Sequence, residues 1–160
     1  MKRNLGPQKV ARPKSSQQLS FLPKQSMEFG GSLLKGKRKS KRPLTKKNPI
    51  HFVLKSEKAK RNLSFVNHKS SLEKIIARVC KDHHIKLYEM AINFDHIHLV
   101  VRLPNVSAYA GWIKALSSLI VQTIARRTKR VLTNFFTLRP YSRIITWGRQ
   151  FKRVLEYQVL

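Results

Sequence analysis

The chain holds 160 residues, of which 34 are Lys or Arg and 7 are Asp or Glu, so its formal net charge is +27. That length suffices for one domain with a real core and is too short for two large ones. No ordinary small enzyme needs such an excess of cations; a polyanionic partner explains it best, nucleic acid being the commonest, with ribosomal RNA and anionic membrane surfaces as rivals.

The single cysteine, Cys80, rules out an internal disulfide and a zinc site built on thiolates. It lies in an apolar-periodic stretch and is expected to be a buried thiol in a reducing, cytoplasmic setting. No apolar run reaches the roughly 18 residues of a spanning helix, and no apolar core follows the basic start. Neither a transmembrane segment nor a secretory signal is therefore expected.

Residues 1–47 carry fourteen of the Lys and Arg residues, one acid (Glu28) and four prolines, among Ser, Gln and Gly. Such a segment buries too little apolar surface to offset its chain entropy, and it is expected to be a disordered basic extension. The block from Lys35 to Arg42 would attract phosphates.

Residues 48–160 are expected to fold, and remain strongly basic. Ile50 to Leu54 reads as a first strand behind Pro49, and Lys55 to Lys69 as a looser stretch. Ser70 or Ser71 is a candidate helix cap, with Glu73 in the first turn. Leu72, Ile75, Ile76 and Val79 then recur at helical spacing, up to an end near His83-His84. Lys86 to Ala91 reads as a second strand, Asn93-Phe94-Asp95 as a turn, and His96 to Leu103 as a third strand stopped by Pro104-Asn105. Ser107 opens a second helix with a stripe of Trp112, Ile113, Leu116, Leu119, Ile120 and Ile124. It runs into Arg126-Arg127-Thr128-Lys129-Arg130, whose cations suit a helix C-terminus. Arg143 to Trp147 reads as a fourth strand, broken by Gly148, and Gln150 to Leu160 as a last helix. The order strand, helix, strand, strand, helix, strand, helix is the α+β plan of a ferredoxin-like split β-α-β sheet with helices on one face.

His96-Ile97-His98 is the most informative triplet. Alternation on a strand places both imidazoles on one face, roughly 6–7 Å apart at the backbone, within joint reach of one metal ion, while Ile97 turns to the core. In isolation the pattern also describes two ordinary half-buried strand histidines.

Its context sharpens it. Asp95-His96-Ile97-His98-Leu99-Val100-Val101 follows a strand and a turn and precedes an amphipathic helix. This resembles the His-hydrophobe-His strand of the single-tyrosine HUH transposases, the insertion-sequence-200-like group and its REP-associated relatives. The stretch from Arg42 to Leu54 is similar to that family's first strand. Tyr141 to Arg149 is similar to the strand leading to its tyrosine helix, and Phe151 to Tyr157 to that helix itself. The resemblance covers residues 40–160.

The resemblance implies a transposase that cuts single-stranded DNA at hairpin-flanked ends, with Tyr157 as nucleophile forming a 5′-phosphotyrosine. It implies a divalent ion, Mg²⁺ or Mn²⁺, on His96 and His98; a homodimer whose tyrosine helix completes the partner's site; and a nucleoid-associated place of action in the bacterial cytoplasm. A phenol with a pKa of about 10 is a poor nucleophile near pH 7, so help from a metal is reasonable. Two imidazoles with open positions favour Mn²⁺ or another borderline ion. Of the other tyrosines, Tyr88 reads as packing, Tyr109 lies near the start of the second helix, and Tyr141 precedes the fourth strand. On a helical wheel Tyr157 falls about 120° from the apolar face of the last helix, beside Arg153. Arg149 and Arg153 are candidate phosphate contacts, as are Arg126, Arg127, Lys129 and Arg130, though exposed helix cations are the ordinary alternative. Relatives place a polar metal ligand one turn after the tyrosine, a position that would fall at 161; Asp95, Glu156 and Gln158 are candidate substitutes. The alternative expectation is a truncated, catalytically impaired relative that only binds DNA or RNA hairpins. A ribosomal or RNA-packaging protein, and a nucleotide hydrolase (for which no Gly-rich phosphate cradle is present), are further rivals.

Overall fold

Alternation of apolar and polar side chains builds the sheet. In β2 (Ile50–Lys55) every second residue, Ile50, Phe52 and Leu54, is buried, and in β4 (His96–Arg102) Ile97, Leu99 and Val101 are. These rows share one face, against which α1 (Lys69–Asp82) and α2 (Ala108–Thr128) pack. α1 contributes Leu72, Ile76, Val79 and Cys80, and α2 contributes Trp112, Leu116, Ile120 and Ile124. Burying each such large side chain is worth about 1.5–3 kcal/mol, so this layer holds the domain together. Phe52 sits at its centre, with the rings of Tyr109 and Trp112 at 5.5 and 5.2 Å.

The computed structural model describes residues 27–34 and 40–159, with side chains through Glu156. β1 (Glu28–Phe29), β3 (Lys86–Ile92) and β5 (Tyr141–Ile144) complete a five-stranded sheet in the order β1-β5-β2-β4-β3. All neighbouring strands are antiparallel. Without β1 this is the ferredoxin-like order expected from the sequence. β4 and β5 both run against β2, so α2 returns alongside them and ends at the His96 end of the sheet. The opposite end carries Lys86 and Arg102, which pair across β3 and β4.

Four local expectations change. α1 begins at Lys69, straight out of a 3₁₀ turn at Val66–His68, and no side chain caps it. Ser70 and Ser71 therefore lie inside the helix, because the chain enters already wound and leaves no extended residue to act as a cap. α2 is capped by Asn105, whose Oδ1 accepts the Ala108 N–H at 2.8 Å and the Ser107 hydroxyl at 2.6 Å. The last strand is Tyr141–Ile144 rather than Arg143–Trp147, since its ladder is set by Val53↔Tyr141 and Ile50↔Ile144. α3 (Arg149–Val159) packs on β3 through Phe151 and Tyr88, apart from the core under α1 and α2.

Part of the segment expected to be disordered also joins the fold; residues 1–26 and 35–39 lie outside the described residues. Glu28 and Phe29 pair with Arg143 and Ser142 on the outer edge of β5. The Arg42 guanidinium clamps this edge: it lies 4.5 Å from the Phe29 ring centroid and 5.2 Å from that of Tyr109, and donates to Ser142 Oγ and the Pro140 carbonyl. Gly30 makes the approach possible. It has φ +93, and a Cβ there would sit 2.1 Å from the Pro140 oxygen. Gly30→Ala is therefore expected to release β1 from the sheet while the core stays folded. Limited proteolysis should show faster cleavage within residues 27–34 and an unchanged core fragment.

Candidate active site

The face of the sheet turned away from α1 and α2 carries a row of imidazoles. His96 and His98 stand on it from β4 and are partly exposed. Their ring centroids are 4.7 Å apart, with the planes at 77°. A third ring, His51 of β2, lies edge to edge with His98, nearly coplanar, with centroids at 5.1 Å and planes at 13°. His51 pairs with Val100 and His98 with Val53, so the two histidines are diagonal neighbours across the ladder.

The turn before β4 is fixed by backbone bonds. Asn93 N–H donates to the His96 carbonyl at 2.9 Å. The Phe94 carbonyl accepts from Phe65 N–H and Ser64 Oγ, and the Asp95 carbonyl from Ser56 N–H. Asp95 is thereby held where its Oδ1 lies 2.6 Å from His96 Nδ1, with Lys55 Nζ 3.5 Å from Oδ2. The hydrogen bond from His96, aided by Lys55, holds the Asp95 carboxyl below the usual range. An ionised carboxylate only accepts, so His96 carries its proton on Nδ1 and presents the Nε2 lone pair. Asn93 Nδ2 donates to that Nε2 at 2.9 Å, so the lone pair is taken by this bond, which an incoming ion would have to replace.

Burial, reinforced by His98 and then Arg143, pushes His51 down to about 4; burial and then His96 lower His98. Both rings are neutral near pH 7, the form that ligates metal. Two strand imidazoles on one face, His96 and His98, each with Nδ1 in a hydrogen bond, suit a divalent ion of borderline character. No set of three or more His, Cys, Asp or Glu side chains among the described residues is arranged to hold one. Asp95 is engaged by His96 and Lys55, Glu156 is exposed on α3, and the Gln158 side chain lies outside those described.

Tyr157 lies in α3, six residues or about 9 Å of helix axis beyond Phe151. Phe151, Tyr88 and Trp147 form a three-ring contact at 5.0–5.7 Å that seats the start of α3. Arg149 and Arg153 are exposed on α3, Arg149 at the Lys86 end of the sheet rather than beside His96. Arg126, Arg127, Lys129 and Arg130 are all exposed where α2 ends, toward the His96 end but from the helical layer. The predicted cations thus form no single cluster.

Sequence reasoning missed two features. One is His51, whose alternation with Ile50 and Phe52 marks its face but not its neighbour. The other is a cleft of about 220 Å³ lined by Lys46, His84, Lys86, Arg102, Leu103 and Pro104, with no acidic residue in its wall. Close by, Lys86 Nζ lies 5.1 Å from the Tyr88 ring centroid, and Trp147 is 46% exposed with its N–H bonded to the Lys47 carbonyl.

Fold and site together define a ferredoxin-like α+β domain bearing a His-X-His strand on its open face. The chain belongs to the IS200-like transposases: the family model matches residues 45–157, which include every element from β2 to Tyr157. Among solved structures it is similar to a REP-associated tyrosine transposase bound to a REP hairpin, at 14% identity and a TM-score of 0.58 over 76% of this chain and 70% of that one. It is also similar to a Deinococcus radiodurans R1 protein assigned to the transposases, at 12% identity and a TM-score of 0.48 over 76% and 95% of the two chains. No curated protein matches. No helix among the described residues is long and apolar enough to cross a membrane.

The lowered His51 and His98 make stability depend on pH. Above the unfolded value of about 6.5 both rings are neutral in either state; below it the unfolded chain takes up protons that the folded chain refuses. Stability of the metal-free protein is therefore full near pH 7 and falls as the pH drops through 6.5 toward 4, by on the order of 2 kcal/mol. Urea midpoints across this range are the check, and His51→Phe should flatten the slope.

Proposed function

We propose that this transposase cuts and rejoins single-stranded DNA through a covalent phosphotyrosine. The observation that carries the reading is the His96/His98 pair, with the Asp95 carboxylate fixing the His96 tautomer, in a chain whose family match runs through Tyr157. The Tyr157 oxygen would attack the scissile phosphorus and lose its proton. The bond from phosphorus to the 3′ oxygen breaks, and that oxygen leaves as a 3′-hydroxyl after taking a proton. The 5′ phosphate stays on the tyrosine, and attack by another 3′-hydroxyl reverses the step with no external energy source. His96 and His98 would hold a divalent ion, Mn²⁺ or Mg²⁺, which when bound polarises the phosphate and stabilises the leaving oxygen. Asp95 and Asn93 keep His96 oriented, and the buried row behind it, Ile97 and Leu99, keeps the strand rigid.

Hairpin DNA is the proposed substrate class, as in the REP-hairpin complex of the similar structure. Support on this chain comes from its charge of +27 and the acid-free cleft of Lys46, His84, Lys86 and Arg102. The exposed Trp147 beside it offers a face on which an unpaired base can stack. A homodimer remains part of the proposal; it would use a surface other than the outer edge of β5, which β1 occupies.

The test is a denaturing gel with labelled single-stranded DNA carrying the hairpin ends of the protein's own locus, in Mn²⁺ or Mg²⁺. The wild type should form a covalent adduct, and Tyr157→Phe and His96→Ala should each reduce it to background while still binding the hairpin. An adduct that survives Tyr157→Phe assigns the nucleophile elsewhere. Binding without any adduct, even in the wild type, selects the second reading of a hairpin-binding protein without cleavage.

Charge reversal probes the cleft separately. Lys86→Glu and Arg102→Glu should each weaken DNA binding for all sequences and lower the slope of log affinity against log salt by about one. Fluorescence anisotropy at several salt concentrations measures this, and unchanged slopes would remove the cleft from the interface.

A further inference from the structure

His51 lies in β2 and has no role in the chemistry set out above, yet its Nε2 lies 2.8 Å from His98 Nδ1, with the two rings nearly coplanar and edge to edge. That separation is a hydrogen bond, so one proton lies between the two nitrogens. Imidazoles that ligate metal are neutral, and two neutral rings, each with one proton, can share this bond in two arrangements. With the shared proton on His51, the His98 proton must sit on Nε2 and that nitrogen has no lone pair to offer. With the shared proton on His98 Nδ1, the His98 Nε2 lone pair is free.

We propose that His51 is a positioning residue for the metal site: it accepts the His98 Nδ1–H and so turns the Nε2 lone pair of His98 outward to the ion. This rests on the reading that His96 and His98 hold that ion. The two ligands then have matching supports, a carboxylate for His96 and a neutral imidazole for His98, at 2.6 and 2.8 Å. Metal-binding histidines commonly depend on such a partner on the second ring nitrogen. The ring geometry fits such a bond: with planes 13° apart, centroids at 5.1 Å and the nitrogens at 2.8 Å, the rings lie edge to edge and nearly coplanar, so the His98 Nδ1–H points along the plane of the ring that accepts it. The ladder supplies the geometry, because Phe52 and Leu54 are fully buried on the other face of the same strand and hold His51 in register.

Two variants separate hydrogen bonding from packing. His51→Phe keeps a planar ring of similar bulk and removes the acceptor; His51→Gln restores an acceptor without the ring. Long-range proton–nitrogen spectra of the metal-free protein near pH 7 should show His98 protonated on Nδ1 and bare on Nε2. In His51→Phe they should show a mixture of tautomers. In Co²⁺ titrations followed by visible absorption, His51→Phe should lose about 10–100-fold in affinity, and His51→Gln should recover most of it. Circular dichroism checks that both variants fold. A wild-type His98 protonated on Nε2, a His51→Phe protein that binds Co²⁺ like the wild type, or a His51→Gln protein as weak as His51→Phe each overturns the proposal. His96→Ala and His98→Ala keep the two readings apart. If they bind Co²⁺ undiminished, the metal reading fails and this inference with it. If they lose Co²⁺ while His51→Phe does not, the metal site stands and His51 has no role in it.

Discussion

The six-pair ladder between β2 and β4 is the constraint on which the rest of the structure depends. It sets Phe52 opposite Leu99 and Leu54 opposite Ile97, so the buried rows of both strands coincide. The same pairing sets Val53 opposite His98 and His51 opposite Val100, so the imidazoles coincide on the other face. A slip of one residue would send the histidines into the core and Ile50, Phe52 and Leu54 into solvent. The hydrophobic effect thus chooses the register, and the polar row inherits its geometry from that choice. A sheet buried on one face has a rigid second face, and rigid placement is what a metal or phosphate site requires.

Patterns that recur within one element were legible in the sequence. The helical stripe from Leu72 to Val79 and the one from Trp112 to Ile124 are the buried faces of α1 and α2. Alternation through Ile50–Leu54 and Ile97–Val101 is the sheet side of the core. What depends on partners far along the chain was not legible. Tyr141–Ile144 has a buried serine and an exposed arginine where an isolated strand would show apolar alternation, and Ser142 is buried because Arg42, one hundred residues earlier, donates to it. β1 is two residues long and lies in a segment whose composition argues for disorder; only its contact with β5 makes it a strand. For the site, the pairing of His96 and His98 follows from strand geometry alone. The approach of His51 to His98 needs the register, and the proton on His96 Nδ1 needs the turn that holds Asp95.

Charge explains how so basic a chain keeps such a site ordered. Among the acids, Asp95 is the one placed against the histidines, and it is placed by main-chain bonds to Asp95 and Phe94 rather than by attraction alone. An exposed ion pair such as Lys55 with Asp95 contributes little to stability. Its effect here is on protonation: Lys55 helps keep the carboxylate ionised, and the carboxylate decides that Nδ1 of His96 is the donor and Nε2 the acceptor. Burial does the corresponding work for His51 and His98, by disfavouring the imidazolium forms that would repel an incoming cation.

The two edges of the sheet complete the logic. Exposed strand edges invite pairing with other chains. β1 and the Arg42 clamp cover the outer edge of β5, and α3 packs against β3 at the opposite edge through Tyr88 and Phe151. With α1 and α2 on one face, polar chemistry among the described residues is left to the open face and its ends. There His96 stands at one end and the acid-free cationic cleft at the other, separated by the six-residue rise of β4, about 20 Å, with His98 and His51 between them. α3 starts at the cationic end, seated by Trp147 and Phe151 on Tyr88, and carries Tyr157 onward from that anchor. Along this face cations at one end give way to imidazoles toward the other. The separation between them is set by one rigid strand, not by a loop.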